Sequence, residues 1–158
     1  MVPLFVLLIS FVLLFGVGVM GVRKLSSPKE AARIALAVMF LFTAATHFTG
    51  MKHDYLAMIP DLLPKNLWLI YFTGLLEFAG AIGLLFSRWC RAAGICLIFL
   101  LIAMFPANVY AALQNIPFRG EPPTPLGIRT LMQAFFIGML WWSTVKAPSK
   151  EKLPTTPH

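Results

Sequence analysis

The sequence predicts an all-α fold, a polytopic membrane helix bundle with five transmembrane helices. Three observations carry that prediction. Hydrophobic residues make up 59% of the 158 positions and charged residues only 12%, against about 25% charged in an ordinary soluble domain. Mean hydropathy is +0.81. Five apolar runs, near residues 2–22, 32–49, 67–86, 90–113 and 127–145, are each long enough for a hydrocarbon core of about 30 Å, which takes about 20 helical residues. The runs are continuous rather than alternating, so they cannot be barrel strands, and backbone groups in lipid must find partners within the segment. Nothing in residues 1–158 marks a second domain: there is no linker, low-complexity tract or internal repeat.

The first run, 2–22, has no basic segment before it and gains its positive charge afterwards, so it reads as an anchor rather than a cleavable signal. Lys and Arg then set the orientation. Arg23, Lys24, Lys29 and Arg33 follow the first run, Arg88 and Arg91 separate the third from the fourth, and Lys146, Lys150 and Lys152 follow the fifth. The alternate connections hold only Lys52, Lys65, Arg119 and Arg129. By the positive-inside rule the amino terminus faces out and the tail 146–158 is cytoplasmic, which suits the plasma (bacterial inner) membrane. The net charge of +7 follows from this bias, and nucleic acid is not an expected partner. Trp68, Trp89, Trp141 and Trp142 fall at span ends, where amphipathic rings favour the headgroup level.

The second connection, GMKHDYLAMIPDLLPKN, is apolar but broken by Pro60 and Pro64, and is expected to lie along the outer surface over the bundle mouth. His53 and Asp54 within it lack the further ligands that a metal site requires, so no metal site is expected. The fourth connection, PFRGEPPTP, reads as a stiff spacer. Cys90 and Cys96 are six apart on one helix, about 240° round it and about 9 Å along it, too far to bridge, and read as packing residues.

The informative residues are the polar ones inside the spans. Glu77 is ten residues into its run, about 15 Å deep. A bare charge there costs at least about 2.5–3.5 kcal/mol, so Glu77 should face the bundle, protonated or paired. His47 and Thr43 lie on the outer part of the second span, and Asn108 follows Pro106 in the fourth. Arg129 and Gln133 share a face of the fifth. Each has a plainer alternative: Glu77, Asn108 and Gln133 as interhelical glue, His47 as a solvated residue, Arg129 snorkelling to headgroups rather than pairing with Glu77. All of them lie at or beyond the midplane toward the outer side, and the inner half is expected to hold no strongly polar buried residue. Glue has no reason to gather in one leaflet, whereas a pocket does. Glu77, Asn108, His47, Arg129 and Gln133 are therefore the expected ligand-binding set. Gly74, Ala79, Gly80 and Gly83 allow close helix approach.

ATHF, MIPDLLP, TGLLEFAGAIGLL, FPANVYAAL and IRTLMQ together resemble the DoxX-like family of small membrane proteins, from about residue 33 to about 145. The resemblance implies a four-helix membrane core to which the first helix is an added anchor. It also implies that His47, Glu77, Asn108, Arg129 and Gln133 occupy family motif positions. Some members of that family occur with thiosulfate and quinone oxidation or with oxidative-stress proteins, and animal relatives act as chaperones for membrane receptors. The bundle is similar in shape to vitamin K epoxide reductase and the sterol isomerases, but the cysteine spacing departs from the former and a single intramembrane acid departs from the latter.

The expected function is thus an outward-facing intramembrane pocket for a quinone or other lipid-like small molecule, in a redox-associated accessory protein. Two alternatives stand beside it. One is a structural, assembly or chaperone subunit contacting another membrane protein or a second copy. The other is a proton or small-solute pathway, ranked last because the inner half offers no polar stepping stones. No haem motif, nucleotide loop or catalytic set is present, so any redox centre would come from a ligand or partner.

Overall fold

A computed structural model describes residues 1–22, 25 and 27–145. The basic residues Arg23 and Lys24 and the tail 146–158 lie outside the described residues. Among the described residues six α-helices follow one another: α1 (Val2–Val19), α2 (Pro28–Thr46), α3 (Lys52–Ala57), α4 (Leu67–Leu85), α5 (Cys90–Leu113) and α6 (Leu126–Leu140), the last continuing into a π-helical turn, Trp141–Val145. Among the described residues there is no strand, only an isolated antiparallel bridge between Phe118 and Glu121.

Helix α2 is the centre of the bundle, packed against α1 on one side and α4 on the other, with α5 on α4 and α6 on α5. Its sequence explains the position. Pro28 at the first helical turn is pre-set for helix and Glu30 there suits the positive end of the helix dipole. Beyond it, Ala31, Ala32, Ala35, Ala37 and Ala44 are fully buried. Small side chains let neighbouring backbones close in, which in lipid is where helix association comes from, since acyl tails are as apolar as leucine. Leu36, Met39 and Phe40 of α2 join Leu7, Leu84, Leu97 and Leu140 in one core. The outward faces of α1, α4, α5 and α6 carry Val12, Leu13, Leu75, Phe78, Phe99 and Leu131, an apolar girdle.

Three helices among the described residues, α1, α4 and α5, are long and apolar enough to cross a membrane. The expectation of five such runs is met only in part, for two physical reasons. Helix α2 carries Lys29, Glu30 and Arg33 in its first two turns. Helix α6 is only 15 residues long before its backbone widens into the π turn. There Ser143 and Thr144 donate to the Met139 and Leu140 carbonyls, both at 2.7 Å, side-chain bonds that commonly bend helices.

Two further expectations are corrected. The polar asymmetry is not complete: Arg33, at the far end of α2 from the pocket, is buried at 7% exposure. Helix α2 begins at Pro28 rather than at residue 32, so Arg33 lies in its second turn, between the fully buried Ala32 and Ala35. Cys96 is exposed rather than packed, and Cys90 is half-buried with its thiol donating to the Ser87 carbonyl at 3.2 Å.

Candidate functional site

The polar residues gather at the end of the bundle where α2 finishes and α4 and α6 begin. They form two separate groups.

The first group is buried between α2 and α4. His47, the C-cap of α2, is 2% exposed and Glu77 is 4% exposed. Gly74 makes the approach possible, because a Cβ there would lie 2.6 Å from the His47 Cβ. The ring then reaches the Ile70 carbonyl, Nδ1 to O 3.0 Å. A carbonyl only accepts, so Nδ1 carries a proton and Nε2 is the atom turned to Glu77, 3.6 Å from Oε2. With Nδ1 protonated, one more proton, on Nε2 or on the carboxyl, is needed for the two to attract. The Thr43 hydroxyl stands beside the same carboxyl while donating to the Phe40 carbonyl at 3.1 Å. Oε2 has no hydrogen-bond partner. His47 is therefore not a solvated residue, and its burial is set by a glycine one helix away.

The second group lines a cavity of about 500 Å³ bounded by the start of α1, by α2, α5 and α6, and by the two connections at that end. Arg129 lies in the first turn of α6, where its Nε donates to the Thr124 carbonyl at 2.9 Å and its Nη1 to Asn108 Oδ1 at 3.1 Å. It makes no ion pair with Glu77. Gln133, one turn on, donates from Nε2 to the Leu101 carbonyl at 2.9 Å. That carbonyl is the neighbour of Ile102, whose own oxygen loses its helical partner because Pro106, inside α5, has no N–H. The remaining wall is apolar, with Phe42, Met58, Leu101, Met132 and Phe136.

Tyr55 stands between the two groups. Its ring stacks on His47 at 4.5 Å between centroids, its hydroxyl lies 2.7 Å from Thr46 Oγ1, and it faces the cavity. Burial pushes its phenol above the usual value, and the Thr46 bond only partly opposes that. Phe118 packs against Tyr55 as well, rings tilted and centroids 5.2 Å apart. The fourth connection is thus part of the cavity roof rather than a spacer. It turns tightly at Arg119 and Gly120, both at positive φ (58° and 74°), with Phe118 and Glu121 exchanging backbone bonds of 3.0 and 3.1 Å. The Arg119 backbone N–H donates to Asp54 Oδ2 at 3.3 Å, tying this turn to α3. Below α3, Asp61 accepts from Tyr110 at 2.7 Å and pairs with Lys65 at 2.6 Å. Those bonds hold its carboxyl below the usual range, Lys65 first and Tyr110 second.

Of the five residues expected to form the site, Asn108, Arg129 and Gln133 share the cavity, while His47 and Glu77 lie behind Tyr55. Tyr55, Phe118 and Thr46 were not expected. An aromatic residue in each of two connections at the same end was the one signal in the sequence. Among the described residues no cluster of His, Cys, Asp and Glu is arranged to hold a metal ion.

The model of a domain of unknown function (DUF8561) matches residues 36–144, which takes in most of α2 and everything after it as far as the π turn. No curated protein and no solved structure matches the chain.

Proposed function

The chain belongs to the DUF8561 family, and from that premise we propose that the cavity at the shared domain's polar end binds a quinone or other lipid-like small molecule, as a redox-associated accessory protein of the membrane. One observation carries this: a cavity of about 500 Å³ in which Asn108, Arg129 and Gln133 share the lining with Phe42, Met132 and Phe136. Ligand sites combine a mostly apolar lining with a few convergent polar groups in this way. In the same proposal the chain makes five crossings, amino terminus outside and carboxyl terminus cytoplasmic, so that the cavity opens outward. The DoxX-like resemblance is part of the proposal too, and α1, which lies outside the matched domain, is its added anchor. Glu77 acts behind the wall, setting His47 and through it Tyr55, rather than on the ligand's head.

Native mass spectrometry of the gently extracted protein tests the proposal. A bound isoprenoid or lipid is expected on the wild-type chain and is lost from Gln133→Leu while the helical spectrum stays the same. A bare protein mass under conditions that preserve other lipid adducts would count decisively against it.

A second reading, a structural or assembly subunit, is favoured by a different feature. An apolar groove of about 900 Å³ runs between α4 and α5, floored by Ala79, Gly80, Gly83, Ala92 and Ala93, the surface on which a partner's helix packs closely. The same spectra report oligomeric state and so separate the two readings. A proton or solute pathway ranks below both, since Ala81, Leu84, Leu97 and Leu140 fill the core beyond Glu77 and Arg33 is the one buried polar residue described at that end.

A further inference from the structure

Resting on the cavity reading above, we infer that the bound molecule has an acidic head, a phosphate or a carboxylate, on an apolar tail. The inference comes from what surrounds Arg129. Its guanidinium is fixed at two points, Nε on the Thr124 carbonyl and Nη1 on Asn108 Oδ1, and neither partner carries charge. Nη2 has no protein acceptor among the described residues and belongs to the group that lines the cavity.

The described carboxylates are engaged or placed elsewhere. Glu77 faces His47, Asp61 holds Lys65 and Tyr110, Asp54 accepts from the Arg119 backbone, and Glu30 is in the first turn of α2 at the opposite end. Glu121 does line the cavity, on the exposed turn that also carries Arg119, and it makes no ion pair with Arg129. Arginines thus outnumber acids two to one in the described lining, and Arg129 is the half-buried one, held in a fixed orientation by Thr124 and Asn108.

A guanidinium held by two of its nitrogens presents the rest of its planar fork to oxyanions, the geometry in which arginine binds phosphate and carboxylate most strongly. A neutral head would use the same N–H groups and leave the charge unbalanced in a low-dielectric space. Gln133 adds selectivity. Its Nε2 is spent on Leu101, which leaves Oε1 to accept from a hydroxyl next to the acidic group.

The experiment is a ligand panel on the purified full-length chain in detergent, read by native mass spectrometry. The panel comprises lysophosphatidic acid, oleate, methyl oleate, decylubiquinone and inorganic phosphate. Lysophosphatidic acid and oleate are expected to bind at least about tenfold more tightly than methyl oleate and decylubiquinone, the scale of one charge-assisted hydrogen bond. Arg129→Gln should erase that preference and Arg129→Lys retain part of it. Since methyl oleate differs from oleate by one charge, the wild-type comparison decides the matter even where a variant fails to fold. Equal binding of charged and neutral tailed molecules overturns the acidic head and leaves the cavity reading intact. Inorganic phosphate binding as well as lysophosphatidic acid overturns the requirement for a tail and identifies a free anion as the source. Binding of nothing in the panel overturns both readings together.

Discussion

At the scale of single residues, the His47–Glu77 pair is where the sequence is hardest to satisfy. Both side chains are buried, 3.6 Å apart, and Glu77 Oε2 has no hydrogen bond. The arrangement holds because His47 has a fixed acceptor in Ile70 and Thr43 stands by the carboxyl. Truncating one member of a buried polar pair strands the other, at about 1–3 kcal/mol for a group left without its bond. Glu77→Ala is therefore expected to lower the melting temperature in detergent well beyond Glu77→Gln, whose amide N–H can still donate to Nε2. Circular-dichroism melts of the two variants check this, and equal losses would mean that the side chain's volume matters rather than its hydrogen bond. How the pair looks from sequence alone is instructive. That Glu77 turns inward was legible, because a carboxylate has no tolerable position among acyl chains. Its partner was not: His47, Asn108 and Arg129 were all candidates, and the choice fell to Gly74, whose missing Cβ lets His47 close on α4.

At the scale of elements, contacts without side chains decide which helices meet. A Cβ on Gly74 would come within 2.6 Å of His47, and one on Gly80 within 2.6 Å of two Leu97 atoms. Both distances are below what packed carbon atoms tolerate. The two clashes differ in kind: the Leu97 side chain can swing, whereas the first atom met at Gly74 is a Cβ fixed to the backbone of α2. Gly74→Ala is accordingly expected to destabilise the bundle by about 1–3 kcal/mol, the usual cost of overpacking, and Gly80→Ala by less. Reversible unfolding in a detergent and denaturant series measures both, and a Gly80→Ala loss equal to that of Gly74→Ala would show that Leu97 cannot repack. The elements themselves were legible to different degrees. Helices α1, α4 and α5 follow from apolar length alone. Helix α2 is an alanine-rich helix whose job is to be surrounded, so its hydropathy understates its burial. The roof over the cavity depends on Tyr55 meeting Phe118 across 63 residues of chain, a pairing that neither segment's own pattern contains.

At the scale of the whole molecule, the proposed five-crossing topology stands or falls on α2, because α1, α4 and α5 have the length and hydropathy to cross on their own. Helix α2 has 19 residues, about 28 Å at 1.5 Å per residue, close to the thickness of a hydrocarbon core. It packs along both α1 and α4. Residues from the start of α1, the end of α2 and α3 line one cavity, so the start of α1 and the segment entering α4 are at the same end of the bundle. The chain leaves α1 at the opposite end and must return before α4 begins, and α2 is the only segment between them long enough to do so. Lys29 and Glu30 lie in its first turn rather than at its centre, where long side chains at a helix end reach back toward water, and Arg33 follows in the second turn. The buried Arg33 then marks the end of the bundle opposite the cavity, and the apolar remainder of α2 packs on its neighbouring helices. Single cysteines in a Cys90→Ala/Cys96→Ala background distinguish the arrangements. In intact cells Asp61→Cys and Arg119→Cys are expected to react with a membrane-impermeant maleimide, while Ser27→Cys and Arg88→Cys react only after permeabilisation. Reaction of Ser27→Cys and Asp61→Cys from the same side would mean that α2 lies within one leaflet. The positive residues of the first connection would then no longer orient the chain, and the cavity's outward opening would lose its basis.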